Sequence, residues 1–258
     1  MERRVEYMDD VEIHHPTILY KYRDWNNAFH RQILIENKVY LASPKAFEDK
    51  NDCNLSEVYP EKDELYDFFL DYAKKKYPNW PIWVKRVFAR YWSKYSPLAH
   101  QEQLSKINAE YTQKFNDRFG VLSLTVDCNN NAMWKKYADN YKGFCIGFDT
   151  ELLFSVLGKG KYVEYVDELP PIYFGKDDPK TWHIKNNFLK ERKWSFEKEY
   201  REYMAWRYKA TDSDRNVKLP DNCIVEIILG KDMLPHQKEE IREIVRNKHP
   251  QAKIIDNF

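Results

Sequence analysis

The opening of the chain switches twice between two hydrophobic periods. Thr17-Ile18-Leu19-Tyr20-Lys21-Tyr22-Arg23 alternates apolar and polar side chains in its second half and is rich in β-formers, which predicts a half-buried strand. From Trp25 to Asn37, the side chains of Trp25, Phe29, Ile33 and Leu34 recur at three- and four-residue steps, so they share one helical face. Asp24 can cap this helix and Asn37 can stop it. Lys38 to Ala42 returns to strand texture and ends at Ser43-Pro44.

Helical spacing then dominates. Leu65, Phe68, Phe69, Tyr72 and Ala73 define a helix over 61–76; Pro78 and Pro81 interrupt it; Trp83, Val87 and Tyr91 continue over 82–95, and a polar helix follows over 98–116. With no glycine before Phe119, the region 53–115 reads as a helical insert of two or three helices lying against a sheet. Strand texture prevails afterwards, at 119–127, 143–148, 162–166, 199–206, 223–229 and 252–255. Helices are predicted at 132–140, 182–192 and 234–247. Strands at both ends with helices between them give an α+β fold, a single mixed domain over 1–258 that contains the insert.

Composition narrows the chemistry. Only seven glycines are present, and none of their spacings matches G-x-G-x-x-G or G-x-x-x-x-G-K-[ST], so a nucleotide must be held without a glycine cradle. The formal net charge of +1 offers no global field for nucleic acid, and no apolar run approaches the ~20 residues that span a bilayer. The segment MERRVEYMDDVEIHHPTILY has no apolar stretch typical of a secretory leader, so a cytoplasmic protein is expected. Cys53, Cys128, Cys145 and Cys223 are widely spaced and read as buried thiols. The seven histidines show no ligand spacing, so no metal is expected.

Four blocks, 18–23, 39–52, 119–149 and 193–206, concentrate aromatic and polar residues; they hold, in turn, Lys21-Tyr22-Arg23; Ser43-Pro44 followed by Phe47 and Asp49; Trp134, Tyr137, Ala138, Gly143, Cys145 and Phe148; and Trp194, Glu197, Glu199, Tyr200 and Arg201. In this order the sequence resembles the uncharacterised bacterial family DUF2971, with one departure, Glu48-Asp49-Lys50 where the family pattern has Asn-Asp-Pro. The order of candidate residues is also similar, more distantly, to ADP-ribosyltransferases, which hold NAD in a split sheet without a glycine fingerprint. That resemblance implies NAD as cofactor, Arg23 on the first strand, Ser123 and Thr125 on one face of a middle strand, and Glu199 or Glu197 as the catalytic carboxylate. Tyr20, Tyr22, Trp134 and Tyr137 would stack on the rings, and Arg23 or Arg201 would bind the pyrophosphate. The implied function is NAD-dependent transfer or NAD cleavage, as a toxin or phage-defence effector with a protein partner or antitoxin. The alternative is a non-catalytic module binding a nucleotide or a protein through an aromatic cleft. Two structural readings stay open beside these: Trp134, Tyr137 and Tyr141 as a core stripe, and Glu197, Glu199 and Arg201 as charge pairing on one strand face.

Overall fold

The computed structural model describes residues 15–158 and 160–256. Met1 to His14, most of the segment considered above for a leader, lies outside them. Strand β1 (Ile18–Arg23) is followed by helix α1 (Ala28–Glu36) and strand β2 (Lys38–Tyr40). Asn27 caps α1 by accepting from the Phe29 amide, while Asp24 accepts from Asn26 in a local turn, so the helix starts after Trp25. Asn37 ends it in the left-handed conformation.

The insert contains β3 (Glu57–Val58), α2 (Leu65–Lys76), α3 (Ile82–Tyr95) and α4 (Gln101–Arg118). Helices α2 and α3 bury a small core of Leu65, Phe69 and Ala89, separate from the main one. The chain continues through β4 (Phe119–Thr125), α5 (Asn131–Tyr137), β5 (Phe144–Asp149), α6 (Thr150–Leu157), β6 (Lys161–Tyr162), β7 (Glu164–Val166) and β8 (Ile172–Tyr173). It ends with α7 (Pro179–Phe188), β9 (Leu189–Glu191), β10 (Glu199–Ala205), α8 (Asp212–Arg215), β11 (Asn216–Lys218), β12 (Ile224–Leu229), α9 (Pro235–Lys248) and β13 (Lys253–Ile255). None of the described helices is long and apolar enough to cross a membrane.

A mixed sheet of seven strands, in the order β13-β12-β5-β1-β4-β10-β6, forms the body of this α+β fold. One face packs Leu19, Leu122, Leu124, Phe144, Ile146 and Phe148 against α1, α6 and α9, and the other packs Tyr22 and Cys145 against Met133, Trp134 and Ala138. The strand expected over 162–166 divides: β6 pairs with β10 whereas β7 pairs with β9.

Two features of the sheet set up the site. Strand β1 pairs with β5 along its whole length but meets β4 at one position, Tyr20 opposite Thr125, so the two strands part on the Arg23 side. The turn after α5 takes Asp139, Asn140 and Tyr141 through left-handed conformations in succession. Gly143 then lies so close to β1 that a Cβ there would fall 2.1 Å from the Arg23 carbonyl oxygen.

Candidate functional site

The parting of β1 from β4 opens a cleft of about 380 Å³. Its walls come from β1, the chain after β2, β4, α5, β9 and the 3-10 turn Arg192–Glu197 that leads into β10. Arg23, Ser123, Glu197 and Glu199 all line it, together with Tyr20, Tyr22 and Tyr137. The sequence distance between the first and last of these is closed by the antiparallel pairing of β10 on β4, which sets Glu199 opposite Thr125 and Arg201 opposite Ser123.

The β10 side is a saturated ionic network. Arg201, fully buried, forms a bidentate pair with Asp52 (2.8 and 3.0 Å) and a second one with Glu199 (2.8 and 2.9 Å), and donates to the Asn187 carbonyl at 2.8 Å. Lys190 Nζ reaches Glu197 at 2.6 Å, Glu199 at 3.0 Å and Asp52 at 3.2 Å. The Tyr137 hydroxyl donates to the other oxygen of Glu197. Burial opposes the ionisation of Glu199, but Arg201 and Lys190, with a hydrogen bond from Ser123, outweigh it and hold the carboxyl at about 2. Burial likewise pulls on the Lys190 ammonium, yet Glu199, Asp52 and Glu197 raise it above the ordinary lysine value. Arg201 and Lys190 thus meet Asp52, Glu197 and Glu199 in one network of salt bridges.

The β1 side is the reverse. Lys21 Nζ donates to the Ser123 carbonyl at 2.5 Å, bridging the gap between the strands, and Arg23 donates to the carbonyl of its neighbour Tyr22 at 3.3 Å. Among the described residues neither cation is within ion-pair distance of a carboxylate. Burial depresses the Arg23 guanidinium to about 10, and burial together with Arg23 drives the Lys21 ammonium well below its usual range. Two buried polar atoms of cleft residues also lack a partner among the described residues, the Asp49 Oδ2 acceptor and the Trp194 Nε1 donor. The Trp194 ring carries Lys136 Nζ at 4.9 Å and Lys190 Nζ at 5.3 Å from its centre.

Three expected cofactor contacts are placed elsewhere. Trp134 is fully buried and packs edge-on against Tyr22, its ring centre 5.1 Å away, because the apolar face of α5 closes the second core; it belongs to the core stripe. Thr125 lies under the sheet and accepts from the Asp127 amide at 3.2 Å, shaping the turn after β4. Arg201 sits behind Glu199 with every direction of its guanidinium filled, which removes it as a pyrophosphate ligand. Tyr20 and Tyr22 reach the cleft, but their hydroxyls are engaged by Glu226 and by the Asp127 carbonyl, and Tyr22 is almost wholly buried.

Sequence reasoning missed Lys21, Asp49, Trp194, Asp52 and Lys190. Lys21, Asp49, Asp52 and Trp194 stand inside the blocks quoted above, and block membership is their signal. Lys190 stands outside the blocks; it meets Asp52, Glu197 and Glu199 only through tertiary pairing, and nothing local to it announces this.

No curated protein and no solved structure matches the chain. A family-model match takes in the quoted residues of the two later blocks, Trp134 to Phe148 and Trp194 to Arg201, and none of the two earlier blocks. Over residues 133–202, the stretch that supplies Tyr137, Lys190, Trp194, Glu197 and Glu199 to the cleft, the chain matches the family described as protein of unknown function (DUF2971).

Proposed function

We propose that the cleft between β1 and β4 binds a small anion of the nucleotide class, with Arg23 as its phosphate anchor. The observation that carries this reading is the Arg23 guanidinium, which lines a cleft with no carboxylate partner among the described residues, in a molecule whose neighbouring arginine, Arg201, is fully paired. A half-buried arginine on a cleft wall gains from meeting an anion, and a phosphate fits its planar fork. The orphaned Asp49 oxygen and Trp194 indole N–H supply an acceptor and a donor for hydroxyl or amide groups of the same ligand. Tyr137 and Trp194 offer ring faces at the cleft wall.

NAD is the nucleotide we propose, and cleavage or transfer at its nicotinamide–ribose bond is the proposed chemistry. That reaction passes through an oxocarbenium-like state, which a nearby carboxylate stabilises. Glu197 is assigned this role in preference to Glu199. Glu199 is consumed by a bidentate pair with Arg201 and by a lysine, whereas Glu197 is held by one bond to each oxygen, from Lys190 and from Tyr137. Titration calorimetry with NAD, ADP and ADP-ribose, followed by an assay of NAD consumption, tests the proposal. Binding that weakens at least roughly tenfold in Arg23→Met supports the anion site. Turnover lost in Glu197→Gln with binding retained supports the catalytic assignment. Binding without turnover in the wild type selects the non-catalytic module, and no binding of any of the three overturns the site.

A further inference from the structure

We propose that Lys21 is a nucleophilic amine, which condenses with the carbonyl carbon of an aldehyde- or ketone-bearing anion held by Arg23. The proposal rests on the reading of the cleft as an anion site and names a chemistry for it.

Lys21 differs from other lysines of the site in what it touches. Lys190 meets three carboxylates and Lys136 pairs with Glu48 at 2.7 Å, whereas Lys21 Nζ has a backbone carbonyl as its partner. A carbonyl accepts an N–H from an amine as well as from an ammonium, though more weakly from the amine, so this contact positions Nζ in either state and does not require a charge. Three groups act on it from the surrounding elements: Arg23 from its own strand lowers its proton affinity, and Glu199 and Glu197, from β10 and the turn before it, raise it; burial outweighs both carboxylates, and the balance is well below the ordinary lysine value. His30 of α1 is itself pushed down to about 4, by burial first and then by Arg23, with Lys21 adding to the effect, and so brings no compensating charge. Desolvation beside a second cation is a recognised way to make a lysine nucleophilic at neutral pH.

The step balances without a redox partner. The Nζ lone pair forms a bond to the carbonyl carbon and the oxygen takes up a proton from Nζ, giving a carbinolamine. Loss of that oxygen with a second Nζ proton, as water, leaves a carbon–nitrogen double bond. The anionic group on Arg23 would position the carbonyl, two residues along the same face of β1 from Lys21. Free ADP-ribose, the product of nicotinamide–ribose cleavage, carries such an aldehyde in its open-chain form.

The test uses pyridoxal 5′-phosphate, which combines an aldehyde with a phosphate, in the presence of cyanoborohydride to reduce any imine, and peptide mass mapping to locate it. The expected result is a predominant adduct on Lys21. It should persist at pH values where exposed lysines are no longer labelled, be displaced by ADP, be lost in Lys21→Met, and fall at least roughly tenfold in Arg23→Met. Thermal melting of both variants establishes that they are folded. Adducts spread over exposed lysines, in protein that still binds ADP, would overturn the amine and leave the anion site standing. Absence of both the adduct and ADP binding overturns both.

Discussion

The two walls of the cleft carry similar charged groups and treat them in opposite ways. On the β10 wall, Arg201 and Lys190 are matched contact for contact by Asp52, Glu199 and Glu197. On the β1 wall, Lys21 and Arg23 meet backbone carbonyls. A matched buried ion is a structural element, because removing one partner strands the other in a medium of low polarity. An unmatched one contributes little to the fold and stands ready for something that is not part of the chain. Presence of an arginine in a cleft is therefore a weaker sign of function than the absence of its counter-ion.

The largest effect that could break this contrast is on stability. Arg201→Met should cost about 3–5 kcal/mol in denaturant unfolding, because Asp52 and Glu199 lose their main counter-charge, while Arg23→Met should leave stability unchanged or raise it. Comparable losses for the two variants would erase the distinction between the walls. Next in size, Glu199→Gln should destabilise the protein by roughly 2 kcal/mol through broken charge-assisted bonds, and Glu197→Gln by less, since it has one cationic partner.

Acid should reveal the same asymmetry. Glu199 is held at about 2, below its usual 4.5, so the stability it contributes is complete above pH 4.5 and is lost as pH falls toward 2. His30 and His183, each lowered to about 4 with burial as the first cause, bind protons more readily when unfolded, which removes stability as pH falls from 6.5 to 4. Unfolding measured against pH should show both limbs, and Glu199→Gln should flatten the lower one. The smallest effect belongs to the insert: Tyr91→Ala, on an exposed face of α3, should change both stability and cleft binding by no more than about 0.5 kcal/mol.

Much of the fold is written in local pattern. Strands β4, β5 and β12 are legible within a few residues because strands in the middle of a sheet, buried on both faces, produce nearly unbroken apolar runs, whereas β10 shows itself by alternation of charged and aromatic residues. Helix α3 is legible through the spacing of Trp83, Val87 and Tyr91 and through Pro81 before it, although that face lies exposed, and the helix expected over 234–247 is α9. Two-residue strands such as β3 and β8 have no period to read, and their parallel pairing depends on the insert folding back. Alternation placed Glu197, Glu199 and Arg201 on one strand face. In fact Glu197 ends a 3-10 turn, and Lys198, in the left-handed conformation, swings the chain so that Glu197 still joins the cluster. Which of those groups was free was illegible, since Asp52 reaches Arg201 across the fold and is part of no periodic pattern.

The left-handed turn at Asp139, Asn140 and Tyr141 ends against the strand that carries Arg23. Three non-glycine residues in that conformation cost about 1–2 kcal/mol each, which the packing of the Tyr141 and Trp134 rings and the close seat of Gly143 on the Arg23 carbonyl must sustain. The end of β1 is thereby clamped from behind, with no room to recoil. A ligand arriving at Arg23 would meet a wall already in place, so its association should be a single encounter without a slow closing phase, and its affinity should be set by how fast it leaves.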